Sequence, residues 1–245
     1  MYCTRQHKTE FIIFGTQNDI LKVSEWTVSV GDEEVLPSMT VRNIGAMLDS
    51  ALSMKSHIDS VTRSCYIQLR NMSKIRKYLS EDSAKTLTHA FVTSRLDNMN
   101  SLLYDLPKVQ IERLQNIQDH AVRIIKQKHK FDHIKCHKIE LHWLPVEFRI
   151  EFKILLLVYK CFHGEGPAYL ASMLEEHHPP RVLRSATQLR LRAPPVPKKR
   201  YGDRAFSVAG PALWNELPMF LKKSPSVDSF KRNLKTYLFK KAFNL

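Results

Sequence analysis

Residues 141–169 read LHWLPVEFRIEFKILLLVYKCFHGEGPAY and form the most strongly apolar and most clearly delimited stretch of the 245-residue chain. Pro145 suits the first turn of a helix, where its missing N–H costs no hydrogen bond, and Gly164 is typical of a helix end. Apolar residues recur between them at helical spacing, in a pattern typical of a helix that is buried over most of its circumference. We therefore predict a core helix in which Ile154 and Leu156 are buried.

Hydropathy and cysteine usage indicate the compartment. The apolar run is shorter than the ~20 residues that a bilayer span needs, and Lys153 and Lys160 interrupt it. The four cysteines are scattered and no secretory leader precedes them, which favours a reducing compartment over a disulfide framework. We expect an intracellular protein of the nucleus or cytoplasm, not secreted, with no membrane as partner.

The net charge of +14 is concentrated at one end of the chain. Residues 181–245 hold 15 of the 38 Lys and Arg residues but only 3 of the 24 Asp and Glu residues, so this segment alone carries +12. Such an excess is typical of a surface that binds phosphate backbones, because neutralised phosphates release their counterions. A basic, solvated tail without a specific partner is the alternative interpretation.

The first 49 residues carry the patterns of a small antiparallel sheet. Residues 8–15, KTEFIIFG, are rich in β-forming residues and predict a strand. Residues 26–36 alternate around a Gly31-Asp32 turn and predict a hairpin. Residues 41–48, VRNIGAML, predict one further strand, in which Gly45 would mark a bulge or a close approach by ligand or backbone.

From residue 50 onward the apolar period changes to that of helices. Candidates cover residues 55–78, 81–103 and 109–128, and Ser80 is a suitable N-cap for the second. The predicted fold class is α+β, mainly α: a small N-terminal antiparallel sheet, then a helical bundle and a basic helical C-terminal region.

Two C-terminal segments supply the candidate phosphate-binding cations. Residues 178–200 contain five of the 12 prolines and predict an extended cationic connector that does not pack. Residues 227–243 predict a basic amphipathic helix capped by Ser226, with Phe230, Leu234 and Leu238 facing inward. The candidate binding residues are Arg181, Arg184, Arg190, Arg192, Lys198, Lys199, Arg200 and Arg204 of the connector region, and Lys231, Arg232, Lys235, Lys240 and Lys241 of the helix, which we expect to form one cationic surface.

Several catalytic patterns are missing from the sequence. It contains no Gly-rich phosphate loop and no GxSxG elbow. Five possible metal ligands, His129, His133, Cys136, His137 and His142, fall within 14 residues, but their spacing does not provide the two ligand pairs of a zinc site. We predict no metal site and no cofactor, and expect these histidines to be hydrogen-bonded or exposed to solvent.

Several motifs together resemble successive blocks of one family. They are KTEFIIFG, VRNIGAMLDSALSMKSHID, FVTSRLDNMNSLLYDLP, LHWLPVEFRIEFKILLLVYK, GPAYL, LRS, RAFSVAGPALWNELP and SFKRNLKTYLF. In this order they resemble the C-terminal part of the reverse transcriptase of LINE-type (non-LTR) retrotransposons, in the jockey and chicken-repeat group. The combination of LHWLPV with the downstream WNELP is the most specific part.

The resemblance implies a role for each segment. Lys8 matches a lysine near the incoming nucleotide, and residues 42–49, with Arg42 and Gly45, match the primer-grip hairpin. The implied domains are a palm and primer-grip remnant (1–49), a thumb-like helical bundle (50–130), the helical core of the C-terminal extension (131–178), a Pro/Arg-rich connector (179–204) and a basic C-terminal helical region (205–245).

The departure from the family concerns the catalytic metal ions. Polymerases hold two Mg²⁺ ions with paired aspartates, which in this family lie upstream of the KTEFIIFG block, whereas only seven residues precede Lys8 and no Asp-Asp pair occurs. We therefore expect a C-terminal fragment of an RNA-directed DNA polymerase without enzymatic activity. It would bind RNA, DNA or both through phosphates, with no small-molecule substrate. The alternatives are an inert translated relic and a host interaction protein without a nucleic-acid role.

Overall fold

The computed structural model describes residues 9–23, 25–31, 33–177, 189–195 and 202–245. Its elements are mainly helices with short antiparallel strand pairs, which confirms the predicted fold class. The chain divides into two compact units, Met1–Ser64 (unit 1) and Cys65–Leu245 (unit 2). The finer division of residues 50–245 into four segments stays a prediction.

Unit 1 contains a short helix and two hairpins. The helix α1 (Gln17–Lys22) begins at Thr16, whose hydroxyl accepts a hydrogen bond from the Asp19 N–H. The hairpin predicted around Gly31 is confirmed, since β1 (Val28–Val30) pairs antiparallel with β2 (Glu33–Val35). The second pair is β3 (Thr40–Asn43) and β4 (Ala46–Asp49).

The prediction of a single strand over residues 41–48 was wrong. Ile44 and Gly45 both have positive φ, 45° and 89°, which is the geometry of a tight two-residue turn between antiparallel strands. Val41 consequently pairs with Leu48. Alternation of apolar residues looks the same in one long strand and in two short strands joined by a turn, so the glycine was misassigned to a bulge.

The strand predicted over residues 8–15 was also wrong for its described part, residues 9–15. Phe11 forms only an isolated bridge to Pro37, with its carbonyl accepting from the Ser38 N–H at 2.6 Å. The Gly15 N–H donates to the Ser50 carbonyl at 3.1 Å. An extended run becomes a strand only when a neighbour offers a ladder of partners, and no described strand runs alongside this one.

Helix α2 (Lys55–Ile75) begins in unit 1 and continues into unit 2, where a 3₁₀ turn, Arg76–Tyr78, follows it. This agrees with the helix predicted over residues 55–78. The other helices of unit 2 are α3 (Glu81–Thr88), α4 (Ser94–Asp97), α5 (Lys108–Ile125), α6 (Lys135–Glu140), α7 (Val146–Phe162), α8 (Ala168–Ala171), α9 (Phe206–Glu216), α10 (Met219–Lys222) and α11 (Val227–Phe243).

The helix predicted over residues 81–103 is interrupted. It begins as predicted, with the Ser80 hydroxyl accepting from the Ser83 N–H at 3.1 Å. A π-helical segment, His89–Thr93, then separates α3 from α4, and Met99 adopts a positive φ of 54° before a 3₁₀ turn. Buried Thr88 donates its hydroxyl to the Ala84 carbonyl at 2.8 Å, the kind of back-bonding that disturbs a regular helix.

The core of unit 2 is built around α7, which packs against α9 and α11. The predicted N-terminal position of Pro145 is confirmed. At the other end, Gly166 lies so close to Cys161 that a Cβ would stand 2.7 Å from the Cys161 Sγ atom, so a larger residue does not fit. None of the described helices is long and apolar enough to cross a membrane.

Burial along α7 corrects one detail of the prediction. Ile154 is only 3% exposed, as expected, but Leu156 is half-buried. Leu156 is two residues after Ile154 and is therefore rotated by about 200° around the helix axis. This places it outside the arc occupied by Ile150, Ile154 and Val158. Leu155 is the leucine that is fully buried.

The structure predicts different costs for two truncations in α7. Ile154→Ala should lower the free energy of unfolding by ~2–5 kcal/mol, because a buried cavity remains. Leu156→Ala is the matched control and should cost clearly less. Urea unfolding of both variants measures the difference, and equal shifts of the two midpoints would contradict the burial of α7 described here.

The β3–β4 hairpin of unit 1 is bound by one buried histidine, His57. The Met47 N–H donates to Nδ1 of His57 at 3.4 Å, which requires that nitrogen to be unprotonated. Burial lowers the pKa of His57, so the neutral form is favoured in the folded state. Stability is then complete above the ordinary pKa of about 6.5 and is lost as the pH falls from there towards the folded value.

We accordingly expect acidification from pH 7 to pH 5 to loosen this hairpin. The protection factor of the Met47 amide, measured by hydrogen exchange, should fall over that range. His129→Gln, at an exposed histidine, should leave the pH dependence as it is, whereas His57→Gln should reduce it. A protection factor that stays constant down to pH 5 would argue against a neutral His57 acceptor.

Candidate nucleic-acid interface

Helix α11 presents its cations because its other side is firmly packed. The Ser226 hydroxyl accepts from the Ser229 N–H at 3.2 Å and fixes the start of the helix, as predicted. Phe230, Leu234 and Leu238 are buried, which confirms the predicted inward face. The Phe230 ring stacks on Tyr159 of α7 with a centroid distance of 4.1 Å. The outer side of α11 is therefore held in a fixed orientation on unit 2.

Three of the five predicted cations of α11 lie on its outer half. At about 100° per residue, Arg232, Lys235 and Lys240 fall on the side away from Leu234, whereas Lys231 lies about 60° from Leu234 and is half-buried beside the inner row. Lys231 pairs with Asp228 at 3.1 Å. Arg232, Lys235 and Lys240 are exposed, and no ion pair of the described residues involves them. These three cations are the available charges of this helix.

Lys241 corrects the prediction of one cationic surface. It lies on the same side of α11 as the buried row. Its Nζ atom is 3.9 Å from a carboxylate oxygen of Glu151 and 3.7 Å from one of Glu216. Its ammonium also lies 6.0 Å from the centroid of the Phe148 ring. Burial raises the pKa of Glu151, and the Lys241 charge opposes that shift. Lys241 therefore serves packing between helices and is partly neutralised.

The charge of Lys235 acts on His89, the first residue of the π-helical segment. Burial, the charge of Arg149 and the charge of Lys235 all lower the pKa of His89, while Asp97 acts in the opposite direction. Arg149 itself is bound by Asp97 through two hydrogen bonds. His89 has no periodic or motif signal in the sequence, so sequence reasoning missed it as a neighbour of the cationic face.

Residues 189–195, within the predicted connector, are anchored to unit 2 through Leu191. Leu191 is buried, its N–H donates to Oδ1 of Asn215, and its carbonyl accepts from Nδ2 of the same side chain, both at 2.9 Å. Nε1 of Trp214 donates to the Leu189 carbonyl at 2.9 Å. In addition, β5 (Glu175–Glu176) pairs with β6 (Leu191–Arg192). The expectation that this segment would not pack was wrong for Leu191, because β5 lies along one side of it and the amide of Asn215 bonds both its N–H and its carbonyl.

The packing of Leu191 leaves Arg190 and Arg192 exposed on either side of it. Arg192 lies 3.9 Å from Glu175, which is a loose pair. The pKa of Lys222 is lowered by burial and by the charge of Arg190, which shows that these two cations are neighbours. Arg204 differs from them: it is half-buried and donates to the Leu102 carbonyl at 3.0 Å, which is a structural contact.

The remaining predicted residues are distributed as follows. Arg42 and Gly45 are exposed on the β3–β4 hairpin of unit 1. Lys8, Arg181, Arg184, Lys198, Lys199 and Arg200 lie outside the described residues. Within the described ranges no group of three or more His, Cys, Asp or Glu side chains is arranged to hold a metal ion. His142, one of the histidines considered as a ligand, instead stacks on Phe239 with a centroid distance of 5.7 Å.

Two local basic stretches were missed because the charge was compared between long segments. Residues 126–138 hold five Lys residues and one Asp, and residues 70–78 hold four Lys and Arg residues and no carboxylate. Acidic residues elsewhere in residues 1–180 conceal them in a net count. A short sliding window of charge would have found both.

Comparisons of the chain with protein-family models, with curated proteins and with solved structures gave no match.

The geometry of α11 predicts unequal effects of two neighbouring lysines. Lys240→Gln should lower the affinity for a single-stranded oligonucleotide and reduce the slope of log K against log salt by up to about 0.7, because one phosphate contact is lost. Lys241→Gln is the matched variant and should change the slope little, since Glu151 and Glu216 already offset its charge. Fluorescence anisotropy titrations at several salt concentrations measure both slopes; a larger effect from Lys241 would refute this assignment.

Proposed function

We propose that this chain is a nucleic-acid-binding protein that contacts the phosphates of RNA or DNA through α11 and the neighbouring arginines. The observation that carries the proposal is the outer side of α11. Arg232, Lys235 and Lys240 are exposed there outside any ion pair of the described residues, on a helix anchored by buried Phe230 and Leu234. Fixed and exposed cations suit a polyanion, because binding does not have to order them first.

The proposed origin of this activity is the non-LTR reverse transcriptase that the sequence motifs resemble. In this proposal the helices within residues 50–130 correspond to its thumb, residues 131–178 to the core of its C-terminal extension, and residues 205–245 to the basic end of that extension. The chain would bind template, primer or target without extending a primer, since its sequence lacks the paired aspartates of the catalytic site. The free thiols Cys65, Cys136 and Cys161 support a reducing compartment, in the nucleus or cytoplasm.

A second candidate function is that of a host interaction protein. Its support is the apolar surface of unit 1, where Trp26, Leu36, Met39 and Ile44 are all exposed. Exposed apolar residues that flank short strand pairs favour association with another protein. This function would use unit 1 and would not need the cations of α11.

The test of the phosphate-binding proposal compares two triple variants of the full chain. Arg232→Gln, Lys235→Gln and Lys240→Gln together should weaken binding of RNA and DNA oligonucleotides of unrelated sequence to a similar extent. The slope of log K against log salt for single strands should fall by up to about 2, because three phosphate contacts are removed. The matched control changes three exposed lysines elsewhere, Lys22, Lys55 and Lys153, to glutamine.

Three results would count against the proposal. The first is binding that does not depend on salt, and the second is an equal loss of affinity in both triple variants. The third is primer extension by the purified chain with Mg²⁺ above that of a mock preparation, which would contradict the absence of polymerase activity. Full retention of binding by the α11 variant, together with capture of a protein through unit 1, would favour the second candidate.

A further inference from the structure

Two aromatic rings of unit 2 stand in solvent on segments that the fold brings together. Tyr78 ends the 3₁₀ turn after α2 and is 76% exposed; Phe131 follows α5 and is 87% exposed. Single exposed aromatic residues are common and need no function. What distinguishes these two is how their backbones are held and which side chains surround them.

The segments that carry the two rings are joined by one arginine. The Arg76 guanidinium donates to the Leu79 carbonyl at 2.7 Å within its own turn. It also donates to the carbonyls of Ile124 at 3.0 Å and Ile125 at 2.7 Å, which end α5. Arg76 thus ties the turn of Tyr78 to the end of the helix from which the chain runs on to Phe131.

Lys126 secures the same region from the other side. Its ammonium pairs with Glu81 at the start of α3 and with Glu140 at the end of α6. Hydrogen bonds from Lys126 and then Lys85 lower the pKa of Glu81 to about 2. Glu81 and Glu140 are therefore committed to lysines, and the ends of α2, α3, α5 and α6 meet in a defined arrangement.

Cations surround both rings. The Lys77 ammonium lies 4.8 Å from the centroid of Tyr78, and the Lys130 ammonium lies 5.4 Å from that of Phe131. Arg70, Lys74, Lys128 and Lys135 are exposed in the same two stretches. The one acidic residue in these stretches, Asp132, accepts a hydrogen bond from the His129 N–H at 2.8 Å.

We propose that Tyr78 and Phe131, with Lys77 and Lys130, bind single-stranded nucleic acid by base stacking; these four residues are called the stacking corner. Exposed rings set among cations are what proteins use to hold single strands, since every base has a face that stacks on an aromatic ring. In a duplex the faces of the bases are covered by their neighbours, so rings on a protein surface cannot reach them. The stacking corner therefore selects unpaired strands, with little preference for sequence.

This site is independent of the phosphate-binding face of α11, and the two contribute to binding in different ways. Loss of a cation lowers the dependence of affinity on salt, because fewer counterions are released. Loss of a stacking ring lowers the affinity at every salt concentration and leaves that dependence unchanged. One set of titrations therefore tests the two proposed sites separately.

The experiment measures binding of the full chain to fluorescein-labelled oligo(dT), oligo(dU) and oligo(U), and to a long blunt-ended DNA duplex, at several salt concentrations. Tyr78→Ala and Phe131→Ala should each weaken single-strand binding by about five- to a hundredfold, as expected for loss of one stacked base. Duplex binding and both salt slopes should stay unchanged. Equal losses for oligo(dU) and oligo(U), which differ only in the 2′-hydroxyl, identify stacking alone, and a larger loss for oligo(U) adds a contact to the RNA 2′-hydroxyl.

Three controls accompany these variants. Tyr169→Ala removes a ring that is 65% exposed on α8, outside the stacking corner, and should have no effect. Phe131→Trp keeps a stacking ring and should retain binding. Circular dichroism and thermal unfolding of the alanine variants should match the unaltered chain, because both rings are largely in solvent.

The proposal is overturned if the double variant Tyr78→Ala, Phe131→Ala binds oligo(dT) and oligo(U) like the unaltered chain. It is also overturned if duplex binding falls by the same factor, or if the chain binds no single strand at all. A loss of affinity in this double variant but none in the α11 triple variant would refute the proposed role of α11 and keep the stacking corner.

Discussion

The packing of Tyr159 connects the most buried helix of unit 2 to the helix that presents its cations. The Tyr159 ring lies between His163 and Phe230, with centroid distances of 4.0 and 4.1 Å. Its hydroxyl donates to the Ser224 carbonyl at 2.6 Å, two residues before the N-cap of α11. Burial raises the pKa of this hydroxyl, so it remains a hydrogen-bond donor. If this contact were lost, α11 would lose both the position of its start and the ring on which Phe230 stacks.

Helix starts were predictable because each depends on one or two neighbouring residues. Pro145, Ser80 and Ser226 stand at the beginnings that their chemistry indicates. Elements that depend on a distant partner were not predictable in the same way. Residues 9–15 do not form a strand because no described strand adjoins them, and Leu191 is packed because Asn215, 24 residues further on, supplies its hydrogen bonds. The periodicity of residues 41–48 missed the turn at Gly45 for a different reason, since period two does not distinguish one strand from two; a hairpin there was implied only by the family resemblance.

The residues of the candidate sites divide in the same way, into those that local spacing predicts and those that depend on a distant partner. The outer residues of α11 could be assigned from helical spacing alone, because the apolar row fixes which side faces water. Lys241 could not, since its partners Glu151 and Glu216 come from two other helices. The stacking corner could not be predicted either, because residues 70–78 and 126–138 become neighbours only through the hydrogen bonds of Arg76.

The distribution of carboxylates explains why these two surfaces remain cationic. Lysines and arginines with little exposed side chain have partners: Lys126 has Glu81 and Glu140, Lys138 has Asp119, and Arg149 has Asp97. Such pairs are needed because a buried charge without a partner is strongly destabilising. With 24 acidic residues against 38 basic ones, carboxylates committed to these lysines and arginines cannot also neutralise the other surface cations. The excess charge is therefore left on exposed helix sides and helix ends, where a polyanion can reach it without breaking any pair that holds the fold.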